Sequence, residues 1–393
     1  MATNAQTNNP AAPAYFTVHD TNDGNDLTFV VQITNPVTVQ QARALLTLPE
    51  SERPHVQGTV VKAPAGFNAP WRFHVDPVSV GFFDISAEVC DANAQYVQDH
   101  LTEVGGAFLP GNHWCPWNST LLAEIPAPAD AATYVRIASA ASDSEAAISP
   151  GALISIYGAN LTDHTEQAES SEWVPKLAGV TVQISANSNA YSRPLQLLMA
   201  SPTQVNALIP ADVPPGPVSI GLTNASGATF QTASWVEPVA PALFVVSQNN
   251  IDYAAASLLR IHADGSYSTE SLIAADPVTG QMVPVPVDPG SPSDQLYLSL
   301  YGSGFTNVNA DAVELASVTH AAGNLPILYA GPQGQIAGLD QINIGFSGLM
   351  NDQPYLDVLL LANIGTGYPV KSNRVRILIG GAASPTSDQA RVR

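Results

Sequence analysis

The residues best suited to chemistry crowd into one short stretch, "FLPGNHWCPWNS", from Phe108 to Ser119. It holds one Cys, one His and two Trp in a chain with only 2 Cys, 8 His and 5 Trp. Three chemistries can be drawn from it. Cys115, with His113 or His100 as base, would make a thiol nucleophile. His74, His100 and His113, with the Glu103 carboxylate, would make a metal set; His100 and Glu103 stand three apart, on one face of an expected helix. Trp71, Trp114 and Trp117, with His113 and Asn118 beside them, would make a recognition surface, because aromatic faces flanked by Asn and His suit a sugar or a peptide.

Each reading has a plainer competitor. There is no HExxH, no CxxC and no paired Cys–His spacing of the kind structural zinc uses, so the His residues read as structural or surface groups and no cofactor is expected. A catalytic thiol needs an electropositive setting, which an acidic chain hardly supplies. Trp is largely buried in most proteins, so core is the default for all three rings. Two Cys fit one disulfide in an exported chain, and the count equally allows two buried thiols. A Cys90–Cys115 bond accounts for both with one feature and would contribute about 3 kcal/mol by restricting the unfolded chain.

The elements that must position these residues come from periodicity and punctuation. "YFTVHDTNDGNDLTFVVQI" reads as a β-hairpin turning at Asn22–Asn25; as a calcium loop it fails, because Gly24 stands where a ligand is needed. "NPVTVQQARALL" starts a helix, with Asn35 as N-cap and Pro36 at the first helical position. "HVQGTVVKAP" and "WRFHVDP" read as strands and "GFFDISAEVCD" as extended chain. "DANAQYVQDHLTEVGG" reads as a second helix, capped by Asp91 and ended by Gly105. "STLLAEIP" closes this α+β head at residues 14–126, after a disordered arm at 1–13. "PAPADAA" from Pro126 marks a linker over 127–131.

Beyond it nearly everything is strand and turn, and it repeats. "LISIYGANL" (Leu153–Leu161) matches "YLSLYGSGF" (Tyr297–Phe305), "LLMASP" matches "ILYAGP", "QVN" at 204–206 matches "QIN" at 341–343, and "SIGLTN" matches "VLLLAN". Four blocks in the same order imply two copies of one sandwich, 132–240 and 241–381, each of about seven short strands. A flexible tail, 382–393, follows. The fold class expected is mainly β and multidomain: a small α+β domain, then two Ig-like β-sandwiches.

The chain has 393 residues, 45% of them hydrophobic, with 33 acidic against 13 basic residues and a net charge of −20. That charge argues against nucleic acid as a partner, since neutralising phosphates needs clustered Lys and Arg. No apolar run is long enough to span a membrane. The opening "MATNAQTNNPAAPAYF" has neither the basic nor the apolar region of a signal peptide and reads as a polar lead-in.

Two resemblances add to this. The residues "ISPGALISIYGANL", "LAGVTVQI", "ASPTQVNALIPADVPPGPVSIGLTN", "LYGSGF" and "LDQINI" resemble a C-terminal module of secreted acidobacterial proteins. That likeness implies two Ig-like folds of the immunoglobulin/plexin/transcription-factor type, with a long extra stretch at 249–293. The residues "QQARALL", "HVQGTVVKAPAGFNAPWRFHVDP" and "FFDISAEVCDANAQYVQDHLTEVGGAFLPGNHWCPWNS" resemble the N-terminal domain of a slime-mould calmodulin-binding protein and its bacterial relatives. No basic amphipathic helix of the sort that binds calmodulin is present.

The expectation is an exported bacterial binding protein, secreted or at the cell surface. Its head would meet a protein, peptide or glycan, and its sandwiches would act as spacer or attachment. One alternative is a hydrolytic or metal-dependent enzyme with its site in the His-rich head. The other is a subunit of a surface assembly, a homo-oligomer included.

Overall fold

The computed structural model describes residues 13–20, 27–68, 71–86, 88–127, 135–169, 173–186, 190–249, 251–308, 310–317, 324–346, 354–365 and 369–380. The expected arm (save Pro13), the hairpin turn, the linker after residue 127 and the tail lie outside them. Within them the chain is mainly antiparallel β. Its buried apolar side chains form three large clusters, each drawn from its own segment: Ala14 to Leu121, Val135 to Val236 and Val239 to Ile379.

In the head, β1 (Ala14–Asp20) and β2 (Leu27–Ile33) pair antiparallel along their full length. Phe16, Val18, Phe29 and Val31 alternate onto one buried face, as a half-buried strand requires. Helix α1 (Pro36–Leu45) starts where Asn35 Oδ1 accepts the N–H groups of Val37 and Thr38, and Pro36 opens it. The strand β3 (His55–Val61) is the hub. It pairs with β4 (His74–Val75), β5 (Gly81–Phe83), β8 (His113–Trp114) and β9 (Ser119–Ile125), and β9 returns to β1. The short β6 (Val104–Gly105) and β7 (Phe108–Pro110) form a separate pair.

Three sequence expectations are corrected here. The helix α2 is only Ala94–Asp99, capped by Asn93, whose Oδ1 accepts the Tyr96 N–H at 2.7 Å. Asp91 does not cap it, because its carboxylate accepts the Trp117 N–H instead. "WRFHVDP" contributes two strand residues, and "GFFDISAEVCD" turns into a 3-10 turn at Glu88–Cys90.

Each sandwich packs two sheets over one core. In the first, five strands lie in each sheet; in the second, six. That exceeds the seven expected, because two-residue edge strands such as Glu166–Gln167 leave no periodicity to read. The repeat survives as identical pairing. Tyr157 faces Gln204 and Ser155 faces Asn206 in the first copy; Tyr301 faces Gln341 and Ser299 faces Asn343 in the second. Asn206 Oδ1 accepts from Ser155 Oγ (3.1 Å) and Gln204 Nε2 (2.7 Å), and Asn343 Oδ1 accepts from Ser299 Oγ (2.9 Å) and Gln341 Nε2 (2.7 Å). In the extra stretch of the second copy, Tyr267–Ser271 pairs outside Ala256–Ile261 and widens the sheet by one strand.

The sandwiches meet where Leu153 N–H donates to Ser303 Oγ at 2.8 Å and Ser149 Oγ donates to the Gly304 carbonyl at 3.2 Å. Gly304 has φ +88, and a Cβ there would stand 2.1 Å from the Ala240 carbonyl oxygen, so only glycine fits. We propose that the three clusters are the cores of three domains. A fragment beginning at Ala131 is expected to express and to melt cooperatively, checked by calorimetry; an unfolded fragment would show that the sandwiches depend on the head.

Candidate functional site

The opening stretch forms a tight corner against β3. Leu109, Gly111 and Asn112 all have left-handed backbone, with φ of 47, 67 and 58. Leu109 is an uncommon host for that conformation, a cost of about 1–3 kcal/mol that its complete burial helps to offset. Asn112 fastens the turn: its carbonyl accepts the Val60 N–H at 2.8 Å and its side-chain Nδ2 donates to the Val60 carbonyl at 3.2 Å.

Beyond the turn, four ties bind this corner to the segment before α2. Cys115 is bonded to Cys90, with Cα atoms 5.1 Å apart. The Cys115 N–H donates to the Cys90 carbonyl at 2.9 Å. The Trp114 indole Nε1–H donates to the Ala92 carbonyl at 2.7 Å, and the Trp117 N–H to Asp91 Oδ1 at 2.9 Å.

The recognition candidates separate. Trp114 is 1% exposed and packs against Phe29 and Phe73, with ring centroids 4.9 and 5.5 Å away. Trp71 is 8% exposed and donates its indole N–H to the Thr28 carbonyl. Both are core residues, as an apolar ring with one satisfied polar atom is bound to be, so neither faces a ligand here. Trp117 is half-buried, edge-on to Phe83 at 6.1 Å and beside His55 at 6.5 Å. Its indole nitrogen is buried and has no hydrogen-bond acceptor among the described residues. His113 and Asn118 are exposed. Partial burial of the ring, and then the charge of Lys371, hold the His113 imidazolium below its usual range. On the segment leading into Cys90, Ile85 and Val89 are 85% and 68% exposed, an apolar surface no sequence pattern announced.

The metal candidates do not converge. His74 is buried on β4, facing the first sandwich. His100 stacks on Tyr96 at 3.9 Å and donates Nδ1–H to its carbonyl. Because α2 stops at Asp99, His100 and Glu103 share no helix face, and Glu103 is exposed on the following turn. Among the described residues, the one group of three or more such side chains with ligand atoms within 4.8 Å of one another is Cys90, His113 and Cys115. Neither cysteine is free to act as a nucleophile while they are bonded.

His74 instead belongs to a polar junction that sequence reading missed. Its Nδ1–H donates to the Ala63 carbonyl at 2.8 Å, and its Nε2 lies 3.2 Å from Glu145 Oε2 on the first sandwich. Arg136 backs Glu145, pairs with Asp143 at 2.6 Å and covers the Tyr157 ring at 4.2 Å. Ser144 Oγ donates to Asp76 Oδ2 at 2.6 Å. Lys62 lies over Trp235 at 4.5 Å and donates to Glu237. Head residues 62–76 and sandwich residues 136–237 lie far apart in sequence, so no local signal could have joined them.

Asp76 gives this junction a pH dependence. Burial, and next the charge of Glu145, raise its carboxyl from 3.8 to about 6. Its stabilising contribution is therefore complete below its unfolded value and is lost as pH rises through about 6. The loss by neutral pH is on the order of 3 kcal/mol. Asp76→Asn, which cannot ionise, is expected to flatten that part of the profile, read as melting temperature against pH from roughly 4 to 8. A second variant, Cys115→Ser, is expected to lower stability by about 3 kcal/mol in urea unfolding.

No helix among the described residues is long and apolar enough to cross a membrane. No curated protein matches the chain. Among solved structures it is similar to the Bacteroides ovatus mixed-linkage glucan utilization locus SGBP-B in complex with a mixed-linkage heptasaccharide, at 14% identity and a TM-score of 0.26. That match covers 68% of this chain and 49% of the other, so the chain spans about half that protein's length. Residues 12–128 match the family model described as the BP-74 N-terminal domain.

Proposed function

We propose that this is an exported bacterial recognition protein whose head meets a protein, peptide or glycan through the corner around Trp117. The two sandwiches, read as Ig-like modules of the secreted acidobacterial type, serve as spacer or attachment. The observation that carries the reading is the fixing of this corner. A bond, three hydrogen bonds and a fastened turn hold it, while Trp117 stays half-exposed. A surface ordered before binding loses little entropy on binding.

Two further features support it. The unpartnered indole N–H of Trp117 costs about 1–3 kcal/mol, and any adjustment that brings an acceptor recovers it. Ile85 and Val89 lay apolar surface on the segment tied to this corner. The enzyme reading required His74, His100 and His113 to converge with a carboxylate; His74 is paired with Glu145 of the first sandwich and His100 stacks on Tyr96. Export accords with a disulfide, which persists in oxidising surroundings.

The test is affinity electrophoresis of the full chain in soluble polysaccharides, together with fluorescence titration against a peptide panel. Trp117→Ala and Ile85→Asp are each expected to weaken binding about tenfold or more. Ile85→Asp should leave the melting temperature unchanged, because that side chain is exposed. Binding that persists in both variants would place the ligand elsewhere.

A further inference from the structure

We propose that in the reduced chain Cys90, Cys115 and His113 form a zinc site, so that the corner has two alternative staples, a disulfide or a metal. The ligand atoms of all three residues lie within 4.8 Å of one another. Two thiolates and one imidazole are the donors a thiophilic d10 cation takes, leaving a fourth position for water. In tetrahedral zinc, ligand sulfurs stand about 3.8 Å apart, given Zn–S bonds of about 2.3 Å. Side-chain rotation can open that gap when the Cα atoms are 5.1 Å apart.

The site does not rely on the disulfide to assemble it. The Cys115 N–H to Cys90 carbonyl bond, the Trp114 indole bond to the Ala92 carbonyl and the Trp117 N–H bond to Asp91 all join the same two segments. They remain when the cysteines are thiols, and they keep both sulfurs side by side. His113 is placed independently, through the pairing of Thr59 with His113 and Gly58 with Trp114. The Ser86 hydroxyl, 3.3 Å from Cys90 Sγ, can donate to a thiolate and steady it. Both cysteines are buried while His113 is exposed, so the metal enters from the His113 side.

The chemistry balances without an outside oxidant. A newly made chain carries two thiols. Zinc binding replaces their two protons with two Zn–S bonds and adds one Zn–N bond. Reduction of the mature bond by a phosphine consumes one water and yields the phosphine oxide and the same two thiols.

The experiment uses the full chain, reduced with a phosphine in mild denaturant, refolded, and titrated with Co2+ as a spectroscopic probe and then with Zn2+. The reduced wild type is expected to take up one Co2+ with a thiolate-to-cobalt charge-transfer band, which Zn2+ abolishes. The oxidised wild type should show no such band. His113→Gln, at an exposed position, should fold and bind about tenfold or more weakly. If the reduced chain does not fold alone, zinc should restore its circular dichroism. The proposal is overturned by a folded, reduced chain with no charge-transfer band, by His113→Gln binding as tightly as wild type, or by an unfolded reduced chain that zinc does not rescue.

Discussion

Two short segments, Cys90–Ala92 and Trp114–Trp117, are held together by one covalent bond and three hydrogen bonds, and the geometry of the head's exposed end depends on that junction. Trp114 shows how. Its ring fills the space between Phe29 and Phe73, and its indole N–H reaches out to the segment that carries Cys90. One side chain thereby couples the core of the β1–β2 hairpin to the surface corner. The left-handed backbone at Leu109, Gly111 and Asn112 is tolerated because both ends of the turn are fixed, to β3 on one side and to this junction on the other.

The second organising feature is the polar contact between head and first sandwich. Contacts between the domains of one chain are generally more polar than obligate interfaces and leave relative motion as the default. This one buries His74, Asp76 and Glu145 to 1%, 1% and 3% exposure and satisfies each through a named partner. Buried ionisable groups are costly unless paired, and here each one is. The bonds from Leu153 to Ser303 and from Ser149 to Gly304 join the two sandwiches in turn.

The sandwiches repeat their chemistry as well as their strands. In each, a Ser on one strand and a Gln two residues before an Asn on the next converge on that Asn. An amide oxygen with two donors is a satisfied group on a half-buried sheet surface, which gives these residues a structural reason to stand at matching places in both copies. The copies differ at the sheet edge: Tyr267–Ser271, which pairs beside Ala256–Ile261 and is largely exposed, has no counterpart beside Arg136–Ser139 among the described residues.

Local chemistry determined the outline of this protein. The alternation in 14–33, the Asn35-Pro36 helix start, the four repeated blocks and the pairing of the only two cysteines each depend on neighbours in sequence or on counting, so they are legible from the residues alone. What lay beyond reach was set by partners far along the chain. Asp91 had the right type and place for an N-cap, but the Trp117 backbone 26 residues on claimed its carboxylate. His74 and His100 had the right type for ligands, but the first sandwich took one and Tyr96 the other. Of the three tryptophans, only the packing of Phe29, Phe73 and Phe83 around them decided which two were core and which one kept a face toward solvent. Residue type limits what a side chain can do; which of those things it does depends on desolvation and partners, and these exist only once the chain has folded.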